Sequence, residues 1–224
     1  MAKEEYGARS PKLARLDAYT TSNAMLESCE AIVARYARVS NTGTPHGPNS
    51  KLVSYLIKHK HWSPFEMVNC VLEVNTTRDV SRQLLRHRSF TFQEFSQRYS
   101  KGADESIYRE ARLQDTKNRQ SSLVCDDELT KKWWIKAQEE VDAHSKDLYE
   151  TALAMGIAKE VARSILAEGL TPTRLFVNGT LRSWLHYIDL RTGVATQQEH
   201  RVLASAISSE IAKVFPMVEE FNHA

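Results

Sequence analysis

Residues 67–74 alternate Val68, Cys70, Leu72 and Val74 with Asn69, Val71 and Glu73, the two-residue period of a strand with one buried face. This is the clearest β signal in the chain, and helical spacing dominates around it. Residues 23–39 carry a stripe of Ala24, Met25, Cys29, Ile32, Val33 and Tyr36 before the turn-rich 40–50, and a short helix is expected over 51–60. Residues 79–86 return to helical spacing, 90–99 are aromatic and polar and read either way, and 101–130 read as a long polar loop with at most a short helix. Helices are expected over 129–155, closed by Gly156, and over 158–168, closed by Gly169. Thr171-Pro172 then starts a helix to about Arg191 that stops at Gly193, and Thr196 with Glu199 forms a capping-box pattern for a last helix ending near Pro216. Strands and helices do not alternate as in a parallel βαβ array. The expected class is therefore α+β, a small antiparallel sheet with a helical bundle. With 224 residues, 42% of them hydrophobic, and no repeat, one domain over 1–224 is expected.

Charge limits the partners. Lys plus Arg total 30 against 28 Asp plus Glu, a net +2, so no broad field is available for a nucleic-acid polymer or an anionic membrane. Any anion must be met by a local cluster. Cys29, Cys70 and Cys125 lie far apart without CxxC spacing, which argues against a disulfide scaffold or thiolate zinc site and for a reducing, cytoplasmic setting. Residues 1–16 hold no apolar run of signal-peptide length, and no apolar stretch is long enough to span a bilayer. His59 and His61 have no further ligand at suitable spacing, so no metal site is expected.

Arg78, Arg82 and Arg86 are spaced four apart, with Gln83 beside them and Val80, Leu84 and Leu85 turned away, so a helix would place the guanidinium groups in one row. A solvated basic face explains that row equally well. If 90–98 is extended, Glu94, Ser96 and Arg98 project to one side and offer an acceptor, a hydroxyl and a cation to a ligand with a polar ring edge and a phosphate. An edge strand with ordinary polar pairs is the alternative. Ser96 has no evident general base beside it and reads as a binding hydroxyl. Ser63-Pro64-Phe65-Glu66 reads as a capping box with Pro at the first helical position. On the helix expected from Pro172, Asn178, Arg182, His186 and Asp189 form one polar row.

The string Arg86-His87-Arg88, seven residues, then Ser96-Gln97-Arg98 resembles the signature of the flavin-dependent thymidylate synthases. His61-Trp62-Ser63-Pro64-Phe65-Glu66, Gln83, Val161-Ala162-Arg163 and Leu181-Arg182-Ser183 leading to His186 and Arg191 follow in the family's order, so the similarity spans about 37–191. Two positions depart from it: Thr180 precedes Leu181-Arg182-Ser183 where Asn is frequent, and Gln93 stands where Asn is common.

The resemblance implies reductive methylation of dUMP to dTMP, with carbon from methylenetetrahydrofolate, NADPH-reduced FAD as hydride carrier and no cysteine nucleophile. It carries dUMP binding to Gln83, Arg86, Glu94, Ser96, Gln97, Arg98, Arg163 and Arg191, and FAD binding to Ser40, His61, Ser63, Glu66, Arg86, His87, Arg88, Glu94, Arg182 and His186. Arg191 takes the catalytic role: a guanidinium that stays protonated stabilises negative charge developing near N3 and O4 of uracil. A cytoplasmic homotetramer with active sites shared among subunits is also implied. Two other classes stay open on the residues alone. One is a single-stranded nucleic-acid module, because Phe90, Phe92, Phe95 and Tyr99 interleave with Arg88 and Arg98. The other is a helical assembly protein.

Overall fold

The alternating run does form a strand, and its main partner is the segment whose residues were expected to start a helix at Pro172. The structure, a computed structural model, describes residues 12–23, 27–40, 47–98 and 105–224. Ala24, Met25 and Tyr99, named above, lie outside the described residues, as do the first residues of 1–16 and parts of 40–50 and 101–130. In chain order the elements are β1 (Ala14–Tyr19), α1 (Cys29–Arg38), α2 (Asn49–Lys58), a 3-10 turn over Ser63–Met67, β2 (Asn69–Thr77), α3 (Arg78–Leu84) and β3 (Thr91–Glu94). Next come the hairpin β4 (Arg112–Gln114) and β5 (Ser122–Val124), α4 (Glu128–Ala154) and α5 (Lys159–Ala162), which passes into a 3-10 turn over Arg163–Ile165. The chain ends with β6 (Pro172–Thr180), α6 (Leu181–Arg191), α7 (Gln198–Ala212) and a 3-10 turn over Pro216–Phe221.

The main sheet has the order β1-β2-β6-β3 with every pair antiparallel, so the expected α+β class holds. Asn69 pairs with Thr180 and Thr77 with Pro172, which joins β2 and β6 along their whole lengths. That pairing overrides the local helical reading of 172–180. Thr173, Leu175, Val177 and Gly179 are buried, while Arg174 and Asn178 turn to the other face. The helix begins only at Leu181, where the Thr180 hydroxyl accepts from Ser183 N at 3.2 Å as N-cap. Asn178 therefore leaves the polar row, and Arg182, His186 and Asp189 remain on α6.

Other local expectations are corrected in the same way. The helix over 158–168 shrinks to α5 and the turn after it, and Gly169 takes no left-handed conformation. Gly156 does, at φ 83°, and closes α4 with Ile157 N to Ala152 O at 2.9 Å and Gly156 N to Leu153 O at 3.0 Å, a Schellman ending. Neither capping box forms. Ser63–Met67 has no side-chain cap, and α7 starts after Gln197, with the Thr196 hydroxyl donating to Leu190 O at 3.3 Å. Residues 101–130 hold a hairpin where a loop was expected, and β1 carried too weak an alternation to stand out. β1 sits at the sheet edge with a bulge between Leu16 and Ala18, and there Leu16 N donates to Glu210 Oε2 at 3.0 Å.

Helices α6 and α7 pack on the sheet, α1 and α2 pack on each other, and all four share one core with Cys70, Leu72, Val74, Leu175 and Val177. Trp184, Tyr187, Phe65 and Phe215 are the largest fully buried side chains, each ring contributing about 2–3 kcal/mol on leaving water. Trp184 Nε1 donates to Cys70 O at 3.1 Å, which satisfies its one polar group. Cys29, Cys70 and Cys125 are free and buried. Burial pushes the Cys29 thiol to about 11, and burial with the neighbouring Cys29 pushes Cys70 to about 12, so neither is an activated nucleophile. No helix among the described residues is long and apolar enough to cross a membrane.

Candidate functional site

The residues singled out from the sequence fall into three clusters. The first joins α3, the turn after it, α6 and α7. After Leu84 the chain turns tightly, with His87 N bonded to Leu84 O at 3.0 Å and Phe90 N to His87 O at 3.1 Å. Arg86 thus lies beyond α3, and the expected row of Arg78, Arg82 and Arg86 breaks up. Arg191, at the end of α6, donates from Nε to His87 Nε2 at 2.9 Å. His87 must accept there, so that nitrogen carries no proton. Burial, then Arg191 and Arg86, lower its pKa to about 4. The two Nη groups of Arg191 make no hydrogen bond among the described residues, so its fork stays open. Behind it His87 meets the edge of Tyr187 with centroids 5.0 Å apart, and Gln83 bonds His200 at 3.1 Å.

Two depressed imidazoles give a pH dependence with a definite sign. Burial, then Arg191 and His87, lower His200 to about 3, against 6.5 for an ordinary histidine. Below 6.5 the unfolded chain takes up protons that the folded chain refuses, so this stability is complete above about pH 7 and is lost as pH falls towards 3. By pH 4 the fully buried His200 costs about 3 kcal/mol and the half-buried His87 less. Urea midpoints should fall between pH 7 and pH 4, and His200→Leu should flatten that decline; an equally steep decline in the variant would refute the assignment.

The second cluster lies where the Ser63–Met67 turn meets the start of α6. Glu66 Oε1 accepts from Arg182 Nη1 at 2.5 Å and Oε2 from the Thr180 hydroxyl at 2.8 Å. Arg182 is the main cause of the lowered Glu66 pKa. Glu66 therefore serves Arg182 and Thr180 and does not close a capping box. Trp62 stands edge-on to His186 at 4.7 Å, and burial followed by Arg182 lowers the His186 pKa. Ser63 and His61 are exposed nearby in sequence, His61 with its ring 6.1 Å from Tyr55. Ser40 follows the end of α1, its hydroxyl donating back to Ala37 O at 3.1 Å. Arg86 and Arg88 are exposed and form no ion pair or hydrogen bond among the described residues.

The third cluster surrounds a cavity of about 320 Å³ lined by Arg78, Arg82, Gln97, Arg163, Glu160 and Glu168, among others. Arg78 Nη1 and Gln97 Nε2 are buried with no hydrogen-bond partner among the described residues. An unpaired buried donor is costly, so two beside this cavity suit an anion. Arg82 pairs with Glu168 at 3.0 Å and Arg163 Nε reaches Glu160 O at 3.4 Å. Arg78 is the residue the sequence reading undervalued; the four-residue spacing was its only signal. β3 ends at Glu94 and residues 97–98 turn, so the extended alternation expected to align Glu94, Ser96 and Arg98 does not continue through them. Glu94 Oε1 turns towards the core and accepts from the Ser81 hydroxyl at 2.8 Å and the Thr173 hydroxyl at 2.9 Å. The Ser96 hydroxyl faces Arg98 N at 3.4 Å. Phe90 is buried against Trp184 at 4.3 Å, which removes it from any stacking platform for single strands.

Open guanidinium groups on an antiparallel α+β frame are chemically suited to anionic, nucleotide-like ligands. Residues 20–217 match the family of the thymidylate synthase complementing protein. The chain is 51% identical over 191 residues to the flavin-dependent thymidylate synthase of Synechocystis sp., covering 85% of this chain and 88% of that one. It is 46% identical over 195 residues to the probable flavin-dependent thymidylate synthase of Paramecium bursaria Chlorella virus 1, covering 86% and 90%. The fold matches a crystal structure of the UMP/dUMP methylase PolB from Streptomyces cacaoi bound with 5-Br dUMP, with TM-score 0.80, 25% identity and 95% of each chain covered. This chain belongs to the family of flavin-dependent thymidylate synthases, and it is an enzyme of the methyltransferase class.

Proposed function

We propose that this enzyme converts dUMP to dTMP in the cytoplasm, with methylenetetrahydrofolate donating the carbon and NADPH the electrons, and that residues 1–224 act as one catalytic domain. The observation that carries the reading is the Arg191–His87 bond, which joins the end of α6 to the centre of Arg86-His87-Arg88 and leaves the Arg191 fork open. An open, permanently protonated fork can stabilise charge that builds on a pyrimidine ring as C5 becomes nucleophilic. Gln83, Arg86, Glu94, Ser96, Gln97, Arg98 and Arg163 hold the nucleotide, and the unpaired donors of Arg78 and Gln97 support an anion subsite near Arg163.

FAD, when bound, supplies the two-electron reduction that turns the transferred carbon into a methyl group. The chain's own donors suit it: Arg86 and Arg88 are exposed cations without an anionic partner among the described residues, fit for a diphosphate. Ser40, His61, Ser63, Glu66, His87, Glu94, Arg182 and His186 complete the cofactor set.

A homotetramer whose copies jointly complete each site goes with this reading. Helix α4 is consistent with this, since Leu129, Trp133, Val141 and Leu148 are exposed along it. The purified protein should be yellow, bleach with NADPH when dUMP is present, sediment as a tetramer, and release tritium from C5-labelled dUMP when folate and NADPH are supplied. A colourless protein that releases no tritium would overturn the activity; a fully active monomer would overturn the shared site.

A further inference from the structure

We infer that His200 and Gln197 are positioning residues that fix the side-chain amide of Gln83 in one orientation beside Arg191 and His87. The inference rests on the reading of Gln83 as a dUMP contact. It starts from Glu199, a carboxylate that can only accept. Burial alone raises this carboxyl, but hydrogen bonds from Arg112 and Gln197 outweigh burial and hold it below the ordinary range, so it is ionised at neutral pH. Arg112 donates to its Oε1. Gln197 Nε2 donates to its Oε2 at 2.8 Å.

Each later orientation is then forced. With its nitrogen committed to Glu199, Gln197 presents Oε1 to Gln83, whose Nε2 donates at 2.6 Å. Gln83 therefore presents Oε1 to His200 Nδ1 at 3.1 Å, and Nδ1 must carry the proton. His200 Nε2 is left to accept from the Tyr187 hydroxyl at 3.0 Å. Flipping the Gln83 amide would set two oxygens against each other at the Gln197 contact, which no change of the His200 tautomer relieves. Flipping Gln197 as well would turn its oxygen on Glu199.

His200 and Tyr187 are buried, so water cannot replace either partner. One Nε2 hydrogen and one lone pair of Gln83 remain, pointing in a direction the protein has already set. An amide held this way loses no rotational freedom when a ligand arrives. The wider network reaches Asp79, since Arg109 bonds that carboxylate at 2.7 Å and lies 3.9 Å from Glu199.

The test is a dUMP titration of the flavin-loaded enzyme. Gln83→Leu and His200→Leu should each weaken dUMP binding about five- to tenfold, the worth of one hydrogen bond. The double variant should be no weaker than Gln83→Leu alone, because His200 acts only through Gln83. His200→Asn, which keeps a donor near the Nδ1 position, should recover most of the loss. Gln197→Ala, at the half-exposed start of α7, gives a second arm if His200→Leu does not fold. Should Gln83→Leu weaken dUMP while Gln197→Ala and a folded His200→Leu bind normally, or should the losses multiply in the double variant, the positioning role is overturned and the Gln83 contact survives. Normal dUMP binding by Gln83→Leu would instead remove the contact itself, and the inference with it.

Discussion

Arg191→Ala should bind dUMP and FAD within a few-fold of the parent enzyme and turn over at least about 100-fold more slowly. Arg191 is half-buried, anchored through Nε on His87, and neither Nη group has a hydrogen-bond partner among the described residues. Its charge is therefore fixed before the substrate arrives and needs no rearrangement when the ring becomes electron-rich. Most of the loss should appear in single-turnover rates at saturating dUMP, since an interaction made mainly in the transition state lowers kcat more than it raises KM. Arg191→Lys keeps the charge without the fork and should recover only part of the rate. A wild-type rate in Arg191→Ala with both ligands bound would refute the assignment.

The largest stability effect should come from Gly179→Ala. Gly179 lies opposite Cys70 in β6, and a Cβ there would sit 2.2 and 2.4 Å from two carbons of the Phe90 ring. The ring cannot fold away, because Trp184 lies 4.3 Å and Tyr187 5.7 Å from it, centroid to centroid. Either the strand or the ring must move, at a cost of about 3 kcal/mol, the upper end for overpacking. In a chain of this length calorimetry should register a fall in Tm of about 6–12 °C. Phe90 N is bonded to His87 O, so activity should fall with stability. Gly179→Ala combined with Phe90→Leu should recover much of both, whereas an unchanged Tm in the single variant would mean that the ring has room to swing.

How much of this was legible depended on the range of the interaction. The two-residue period of β2, the Cys29, Ile32 and Val33 part of the α1 stripe, the length of α4 and the left-handed stop at Gly156 are settled within a few turns of chain, and all were readable. So was the spacing of Arg86-His87-Arg88 and Ser96-Gln97-Arg98 that carried the family. Residues 172–180 were not. Leu175, Phe176 and Val177 are consecutive apolar residues that suit either element, and only the pairing with β2 decided for a strand. Glu66 was misread for a related reason. Glu three residues after Ser matches a cap locally, but Arg182 offers it a cation.

The sequence by itself determined the chemical inventory: the arginine-rich segments, three widely spaced cysteines, a near-neutral balance and the signature spacing. Tertiary structure alone decided which groups meet. Arg191 finds His87 across 104 positions, and Gln83 finds Gln197 across 114 and His200 across 117. Periodicity encodes neighbours three or four residues away and the face an element buries, whereas contacts at such separations follow from how β2, β6, α6 and α7 pack, which no local window contains.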